Sequence, residues 1–547
     1  MKYGFVIDNR KCIGCPACTT ACKSEHDVPV GVNRTWVKQV EKGTFPDTRR
    51  LFSVMRCNHC TDAPCVEICP TEALYVRKDG IVDFDKDRCI GCKSCMQACP
   101  YDALYIDPET RTAAKCNYCA HRIDVGLEPA CVNVCPEHAI ISGDMEDETT
   151  EIAQLLARQA VTVRKPEKGT QPNLFYIGAD EVSLNPTATP RTGEYLWNGQ
   201  TTGVGHFAKE AEKLAFSNGD VITSLLEAEK QYSSAGEIAK NGPQKSIELI
   251  MGKSARNGEA KRVYDTPDKG ILWGWEVSAY VFTKAISAGA FLVPFIALLF
   301  GWTRPDTEIS WWSYGLGLFF LTATGILLIM DLDQPKRFFY VLLRPHWGSW
   351  LVKGGYAITA YGGLLTALGV ALYFGWDALQ IGLSWVTAIV ASIVAVYTAF
   401  LFAQAKGRDF WQSPTLAIHM LVHSLMAGAA VFTIVALFTD VTADWMTYLK
   451  YLLFGAIAMN LVTMLFELTT THPTIDAGRV SNMITKGQYS KLFYGGVILL
   501  GNIIPVVLLM TSLGNPMMMA AAGALVLLGI YFTEHIWVEA PQRIPLT

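Results

Sequence analysis

Every one of the sixteen cysteines in this 547-residue chain lies between Cys12 and Cys135. They form four tight groups: Cys12, Cys15, Cys18 and Cys22; Cys57, Cys60, Cys65 and Cys69; Cys89, Cys92, Cys95 and Cys99; Cys116, Cys119, Cys131 and Cys135. A segment this rich in thiols must be crosslinked or must hold metal. Disulfides need an oxidising compartment and rarely cluster as repeated C-x2-C, while tetrahedral zinc takes paired C-x2-C knuckles without a third close cysteine.

Cubane iron–sulfur ligation fits better. In the pattern C-x2-C-x2-C-x3-C-P three thiolates serve one cluster and the fourth crosses to another. The first and third groups have that cysteine spacing, and the second and fourth stretch a gap but keep the closing C-x3-C. Pro70, Pro100 and Pro136 follow three of the closing cysteines, whereas Cys22 is followed by Lys23. Sixteen thiolates suffice for four [4Fe–4S] clusters. After the closing cysteines a short turn runs into a strand, as in Thr71-Glu72-Ala73-Leu74-Tyr75-Val76, Tyr101-Asp102-Ala103-Leu104-Tyr105-Ile106 and Glu137-His138-Ala139-Ile140-Ile141. Asp79-Gly80 predicts a hairpin. Sheets this small bury little core, so cluster binding is expected to supply part of the folding free energy.

Half of all residues are hydrophobic, and the apolar excess sits in the second half. Eight runs there are long enough to cross a bilayer as helices, at about 272–300, 311–330, 348–374, 381–403, 414–438, 446–470, 491–513 and 517–537. The N-terminus has neither an apolar h-region nor a twin arginine, so no export signal is expected. Loops at 331–347, 404–413 and 471–491 share a side with both termini and carry Lys336, Arg337, Arg344, Lys406, Arg408, Arg479, Lys486 and Lys491, against Arg304 and Lys450 opposite. The positive-inside rule then puts the cysteine region in the cytoplasm; the alternative is that these bases complement an acidic docked domain.

Between the two parts runs a polar stretch, roughly 145–270. Pro172 to Gly178 reads as a strand returning to the cysteine region, and 206–252 has helix-forming composition with apolar spacing at Ile222, Leu225, Leu226 and Ile238. A docking surface or a partly disordered tether would both suit this composition. The domain reading is therefore 1–185 for the clusters, 186–270 as polar connection and 271–547 for the membrane helices.

The membrane half repeats itself. Sliding Ala288-Gly289-Ala290 onto Ala427-Gly428-Ala429, an offset of 139, lays Lys284 on His423 and Tyr280 on His419. Asp331-Leu332 corresponds roughly to Glu467-Leu468, which predicts two four-helix units with small residues at their contacts. Ionisable groups in such helices are costly and are functional candidates: Glu276, Lys284, His419, His423, Glu467 and Glu534. For His419 and His423, four apart on one face, interhelical hydrogen bonding and proton conduction are both open.

Residues 1–185, with all four groups in order and spacing, resemble the four-cluster subunits that serve molybdopterin enzymes of the dimethyl-sulfoxide-reductase type, such as polysulfide reductase and membrane formate dehydrogenase. The resemblance implies crosswise pairing. Cys12, Cys15 and Cys18 would join Cys135; Cys22 would join Cys116, Cys119 and Cys131; Cys57, Cys60 and Cys65 would join Cys99; Cys69 would join Cys89, Cys92 and Cys95.

The membrane half resembles the NrfD-type, or polysulfide-reductase membrane, quinone-reactive subunit. The residues carrying this are Trp273-Gly274-Trp275, Ser287-Ala288-Gly289-Ala290-Phe291, Met330-Asp331-Leu332-Asp333-Gln334-Pro335-Lys336-Arg337-Phe338 and Arg408-Asp409-Phe410-Trp411-Gln412-Ser413-Pro414. The two parts are separate polypeptides in that family and fused here. The fold class implied is an α+β ferredoxin-like domain joined to eight transmembrane helices. The family places its quinone near the first helix, which implies Trp275, Glu276 and Tyr280, with Asp331 and Arg337 at the mouth. Lys284 departs from the small residue expected there, and His419 and His423 complete the candidate quinone and proton site.

The implied activity is electron transfer between a separate molybdopterin-type catalytic subunit and the membrane pool of menaquinone or ubiquinone. The catalytic partner would be a cytoplasmic sulfite, formate or related dehydrogenase. With inverted orientation and a co-exported partner, it would be a polysulfide, tetrathionate or sulfoxide reductase. This chain would be part of an oxidoreductase without being its substrate-converting subunit, and nucleic acid is not expected among its partners. An ion transporter driven by its iron–sulfur domain is the rival reading. A b-haem subunit is another, with His346, His472 and His535 near helix ends; no haem is expected, because histidines four apart on one face do not clamp a haem from both sides.

Overall fold

The computed structural model describes residues 1–190 and 260–547, apart from positions 45, 304, 305 and 513. The helical expectation for 206–252, and the position of Arg304, fall outside the described residues. The polypeptide divides into two units, Met1–Leu272 with Gln542–Thr547, and Trp273–Pro541.

Most strands of the first unit are short, six residues or fewer. Tyr3–Asp8 lies at the centre of a four-stranded sheet, antiparallel to Ile140–Asp144 and parallel to Leu174–Ile177. The strand expected after Pro172 thus returns to the start of the chain. Two hairpins, Leu74–Val76 with Val82–Phe84 and Leu104–Ile106 with Ala113–Lys115, follow the second and third cysteine groups. Asp79-Gly80 does turn the first, within a five-residue loop closed by Arg77 N–H donating to Ile81 O, with Gly80 at φ 79°. The core of this unit includes the cysteines themselves, with Cys18 and Cys131 packed among Phe5, Ile7, Val54, Tyr118 and Tyr176.

Two features lay beyond the sequence reading. Ala260–Tyr264, inside the stretch read as polar connection, is the third strand of a sheet with the long hairpin Thr35–Thr44 and Asp47–Arg56. A fully buried ion pair, Arg262 Nη1 to Asp265 Oδ2 at 2.9 Å, anchors it, and Asp265 Oδ1 also accepts from Trp36 Nε1 at 2.8 Å. The last residues close on the same unit: Thr547 Oγ1 donates to Asp265 at 3.1 Å and Arg164 Nη2 to Leu546 O at 3.0 Å.

Among the described residues, the second unit holds eight helices long and apolar enough to span a membrane: Trp275–Leu299, Thr307–Met330, Trp350–Phe374, Asp377–Gln404, Leu416–Val435, Ala443–Thr469, Leu492–Thr511 and Pro516–Glu539. Each overlaps an expected run, with ends that differ by a few residues as helix ends do. The loop expected at 471–491 contains a further helix, Ile475–Thr485, capped by Thr474 Oγ1. The seventh span is wound more widely over Leu492–Ile503 before tightening to an α-helix at Ile504–Thr511, and Asn502 at that change is buried.

Spans one and five form the middle of the bundle, with 72% and 78% of their apolar windows buried against 22% for span three. Pro294 lies inside the first span and has no N–H for the carbonyl of Ala290. Ser313 Oγ donates to that oxygen at 2.8 Å, so the backbone stays satisfied where no water can help. The repeat-related glycines meet each other: a Cβ on Gly289 would lie 1.9 Å from Ser424 O and 2.7 Å from Gly428 N, and one on Gly428 would lie 2.3 Å from Gly289 C. Spans seven and eight touch in the same way at Gly501 and Gly529.

Two outcomes follow. Gly289→Ala should destabilise the bundle by about 1–3 kcal/mol, because both contacts are backbone and cannot swing aside. Gly455→Ala, where a Cβ meets nothing within 4 Å, should be neutral; thermal unfolding in detergent compares them. Stripping iron with a chelator should make the first unit sensitive to protease while helical circular dichroism from the second persists.

Candidate functional site

The cysteine loops fold so that backbone amides point at sulfur. Gly14 and Gly91, third in the matching Cys-Ile-Gly-Cys stretches, both have positive φ, at 73° and 71°. Gly14 also lies against Phe52, whose ring carbons a Cβ would approach to 2.3 Å. The N–H of Gly91 donates to Cys89 Sγ at 3.4 Å, that of His59 to Cys57 Sγ at 3.5 Å and that of Ala139 to Cys135 Sγ at 3.2 Å.

The sixteen thiols gather in four sets. Cys12, Cys15, Cys18 and Cys135 line one cavity, and Cys69, Cys89, Cys92 and Cys95 line another. Cys22 interacts with Cys116, Cys119 and Cys131, and Cys65 with Cys57, Cys60 and Cys99. These are the sets that crosswise pairing implies. Burial pushes the thiols up, Cys18 to about 11 and Cys92 and Cys119 to about 12, with Cys22, Cys65 and Cys95 also raised. Four crowded thiols ionise in such surroundings only with a strongly cationic centre among them, so the donor chemistry fits iron–sulfur cubanes.

Buried cations lie beside these sets. Arg56 is fully buried, donates through Nη1 to Cys131 Sγ at 3.1 Å and stacks at 4.5 Å over Phe5. It forms no ion pair with a carboxylate among the described residues, and it also interacts with Cys116 and Cys18. Lys115, equally buried, donates to Val82 O and, at 2.9 Å, to Cys116 O, and it interacts with Cys57. His26 Nε2 lies 3.1 Å from Cys119 Sγ. Burial, with Arg34 and His121 beside it, pushes His26 down to about 4. None of these three was singled out from sequence; a cation or histidine becomes informative only once the fold buries it beside thiols.

In the second unit the two histidines are bound to carboxylates. His419 Nδ1 meets Glu467 Oε2 at 2.9 Å, and the same carboxylate accepts from Thr415 Oγ1 at 2.9 Å and Trp537 Nε1 at 3.0 Å. His423 Nδ1 meets Glu534 Oε1 at 2.6 Å and Nε2 meets Asn460 Oδ1 at 3.2 Å, with Asn460 donating onward to Asn502 at 3.2 Å. The histidine rings are 4.2 Å apart. Lys284 Nζ donates to Thr398 Oγ1 at 2.6 Å and Ala395 O at 3.1 Å, lies 4.7 Å over the Tyr397 ring and is within electrostatic reach of Glu534. So Lys284, His419 and His423 share one buried network with Glu467 and Glu534. Asn460 and Asn502 were missed, although a buried-depth asparagine in an apolar run is itself a signal.

The other candidates lie toward the ends of spans one and two. Tyr280 is buried with Asp331 within electrostatic reach, Trp275 is exposed, and Glu276 and Arg337 are half-buried. Of the remaining histidines, His535 Nε2 bonds Glu539 Oε2 at 3.0 Å, one turn along its own helix.

Residues 266–544 match the family described as polysulphide reductase, NrfD, and residues 11–74 and 48–145 each match a 4Fe-4S dicluster domain. The B component of tetrathionate reductase from Salmonella typhimurium is 46% identical over 189 residues, which is 34% of this chain and 76% of that one. The B component of polysulfide reductase from Wolinella succinogenes is 45% identical over 181 residues, 32% of this chain and 94% of that one. The arsenate respiratory reductase iron-sulfur subunit ArrB of a Shewanella species is 35% identical over 225 residues, 32% and 96% respectively. With more than half its length matched, the protein belongs to the polysulphide reductase NrfD family of multi-pass membrane proteins, and it carries a 4Fe-4S dicluster region in the same polypeptide.

Proposed function

We propose that this chain is the electron-transfer and quinone-reactive subunit of a membrane-bound oxidoreductase, relaying electrons through four [4Fe–4S] clusters between a separate catalytic subunit and the quinone pool. The observation that carries this is the gathering of sixteen cysteines into four sets on a polypeptide whose other half is an NrfD membrane domain. Each cluster, when bound, takes up and releases one electron at a time. The chain's residues supply the rest. Cysteines of each crosswise set hold one cluster, amides of Gly91, His59 and Ala139 disperse charge from the sulfurs, and Arg56 and Lys115 offset the charge of an added electron.

On the membrane side Trp275, Glu276 and Tyr280 receive the quinone ring, with Asp331 and Arg337 at the mouth. Lys284, His419 and His423 hold protons for it. The relatives named as tetrathionate, polysulfide and arsenate reductase subunits support a separate catalytic partner, which we read as molybdopterin-type from the resemblance of residues 1–185. The basic loop residues Lys336, Arg344 and Lys406 favour a cytoplasmic cluster domain. A second activity, proton movement through the bundle, is favoured by the network from Glu467 through His419, His423 and Glu534 to the neighbourhood of Lys284.

Two measurements test this. Adding a short-chain quinol to purified protein should produce the EPR signals of reduced clusters; a quinol that leaves them silent while dithionite reduces them refutes the quinone reading. Arg56→Leu should lower the midpoint potential of a nearby cluster by about 100 mV, the effect of one charge several ångströms away at an effective dielectric near 20. Arg56→Lys should recover most of it. Equal potentials in all three proteins would leave Arg56 a packing residue only.

A further inference from the structure

We propose that the second four-helix half contains its own binding pocket for a quinone-type ring, distinct from the site on the first span. The proposal rests on the reading that this chain reacts with quinone. A cavity of about 330 Å³ lies where the segment before the fifth span meets the ends of the sixth and eighth. That volume is in the range of sites that take small ligands. Phe410, Phe466 and Trp537 give it aromatic walls, and Ser413, Glu467 and His472 give it polar groups.

One of those polar groups points to a ligand. His472 Nε2 is buried and has no hydrogen-bond partner among the described residues, a state that buried nitrogen rarely keeps without something to bond. Glu467 is held in place by three donors, His419, Thr415 and Trp537, so its carboxylate is a fixed feature of the wall. A flat ring with two oxygens suits aromatic walls with separated polar groups. A lipid acyl chain does not, because it would leave His472 Nε2 facing hydrocarbon without a partner.

The repeat strengthens the assignment. The offset of 139 lays Thr415 on Glu276 and His419 on Tyr280, and Glu467 falls roughly on Asp331. The cavity therefore occupies the second-half counterpart of the positions assigned to quinone in the first. The network beyond it, from His419 across to His423 and Glu534, gives ring hydroxyl protons a route that the first half does not share residue for residue.

Photolabelling of the intact protein in nanodiscs with a ring-azido quinone, followed by peptide mass mapping, decides the matter. The expected result is label both at 275–284 and at 410–416 or 466–472, each displaced by excess unlabelled quinone. Thr470→Trp, which fills the cavity, should cut the second label at least tenfold and spare the first. His472→Phe should do the same where His472→Gln does not, with cluster EPR signals reporting that each variant is folded. Label confined to the first region, or second-region label that excess quinone does not displace, overturns the proposal while leaving the quinone reading intact. Label in neither region, with no quinol-driven cluster reduction, overturns both.

Discussion

Charge beyond the reach of water is the constraint on which both units depend. An isolated ion in a low-dielectric interior costs many kcal/mol, so each such group must find an opposite charge or several hydrogen bonds. In the first unit the demand comes from thiols packed into the core beside Phe5, Ile7 and Tyr176, where burial alone drives them far from ionisation. Metal, amide N–H groups and the Arg56 guanidinium answer it together. In the second unit the same demand is met pairwise, His419 with Glu467 and His423 with Glu534, and the asparagines extend the network.

The parts of this structure that were legible in the sequence are those whose physics is local. Cluster loops need several ligands within one turn of chain, so Cys12 to Cys22 and Cys89 to Cys99 announce their chemistry in eleven residues each. A membrane span needs only an unbroken apolar run, so all eight were readable to within a few residues. What was not legible depends on partners far away in the sequence. Ala260–Tyr264 is too short and too polar to declare itself a strand until Thr35–Thr44 offers an edge, and Arg262 reads as an ordinary surface base until Asp265, Thr189 and Pro186 enclose it. The carboxylate partners of the histidines were visible as costly residues. Their pairing was not, because it joins spans five, six and eight across 48 and 111 positions.

Joining the two parts in one polypeptide changes what each must provide. Separate subunits must find one another and hold a specific interface, at a cost in translational freedom. A fused polypeptide has a fixed one-to-one ratio. Because Gln542–Thr547 fold with the first unit, residues 1 and 547 lie in the same body, with the membrane helices inserted between.

The repeat in the membrane half shows why some positions stay alike while others diverge. Gly289 and Gly428 are equivalents under the offset of 139 and are also each other's neighbours, so each is the reason the other must be small. A side chain on either would strike the backbone of its counterpart, and neither half is free to change alone. The polar positions are under no such mutual limit. Tyr280 and His419 are equivalent but have different partners, Tyr397, Asp331 and Thr398 in one case and Glu467 with His423 in the other. Lys284 has Thr398 and the Tyr397 ring where His423 has Glu534 and Asn460. Steric contact at the meeting point therefore preserves the symmetry of the scaffold, and different polar partners at equivalent positions let two copies of one bundle take on different proton and ligand chemistry.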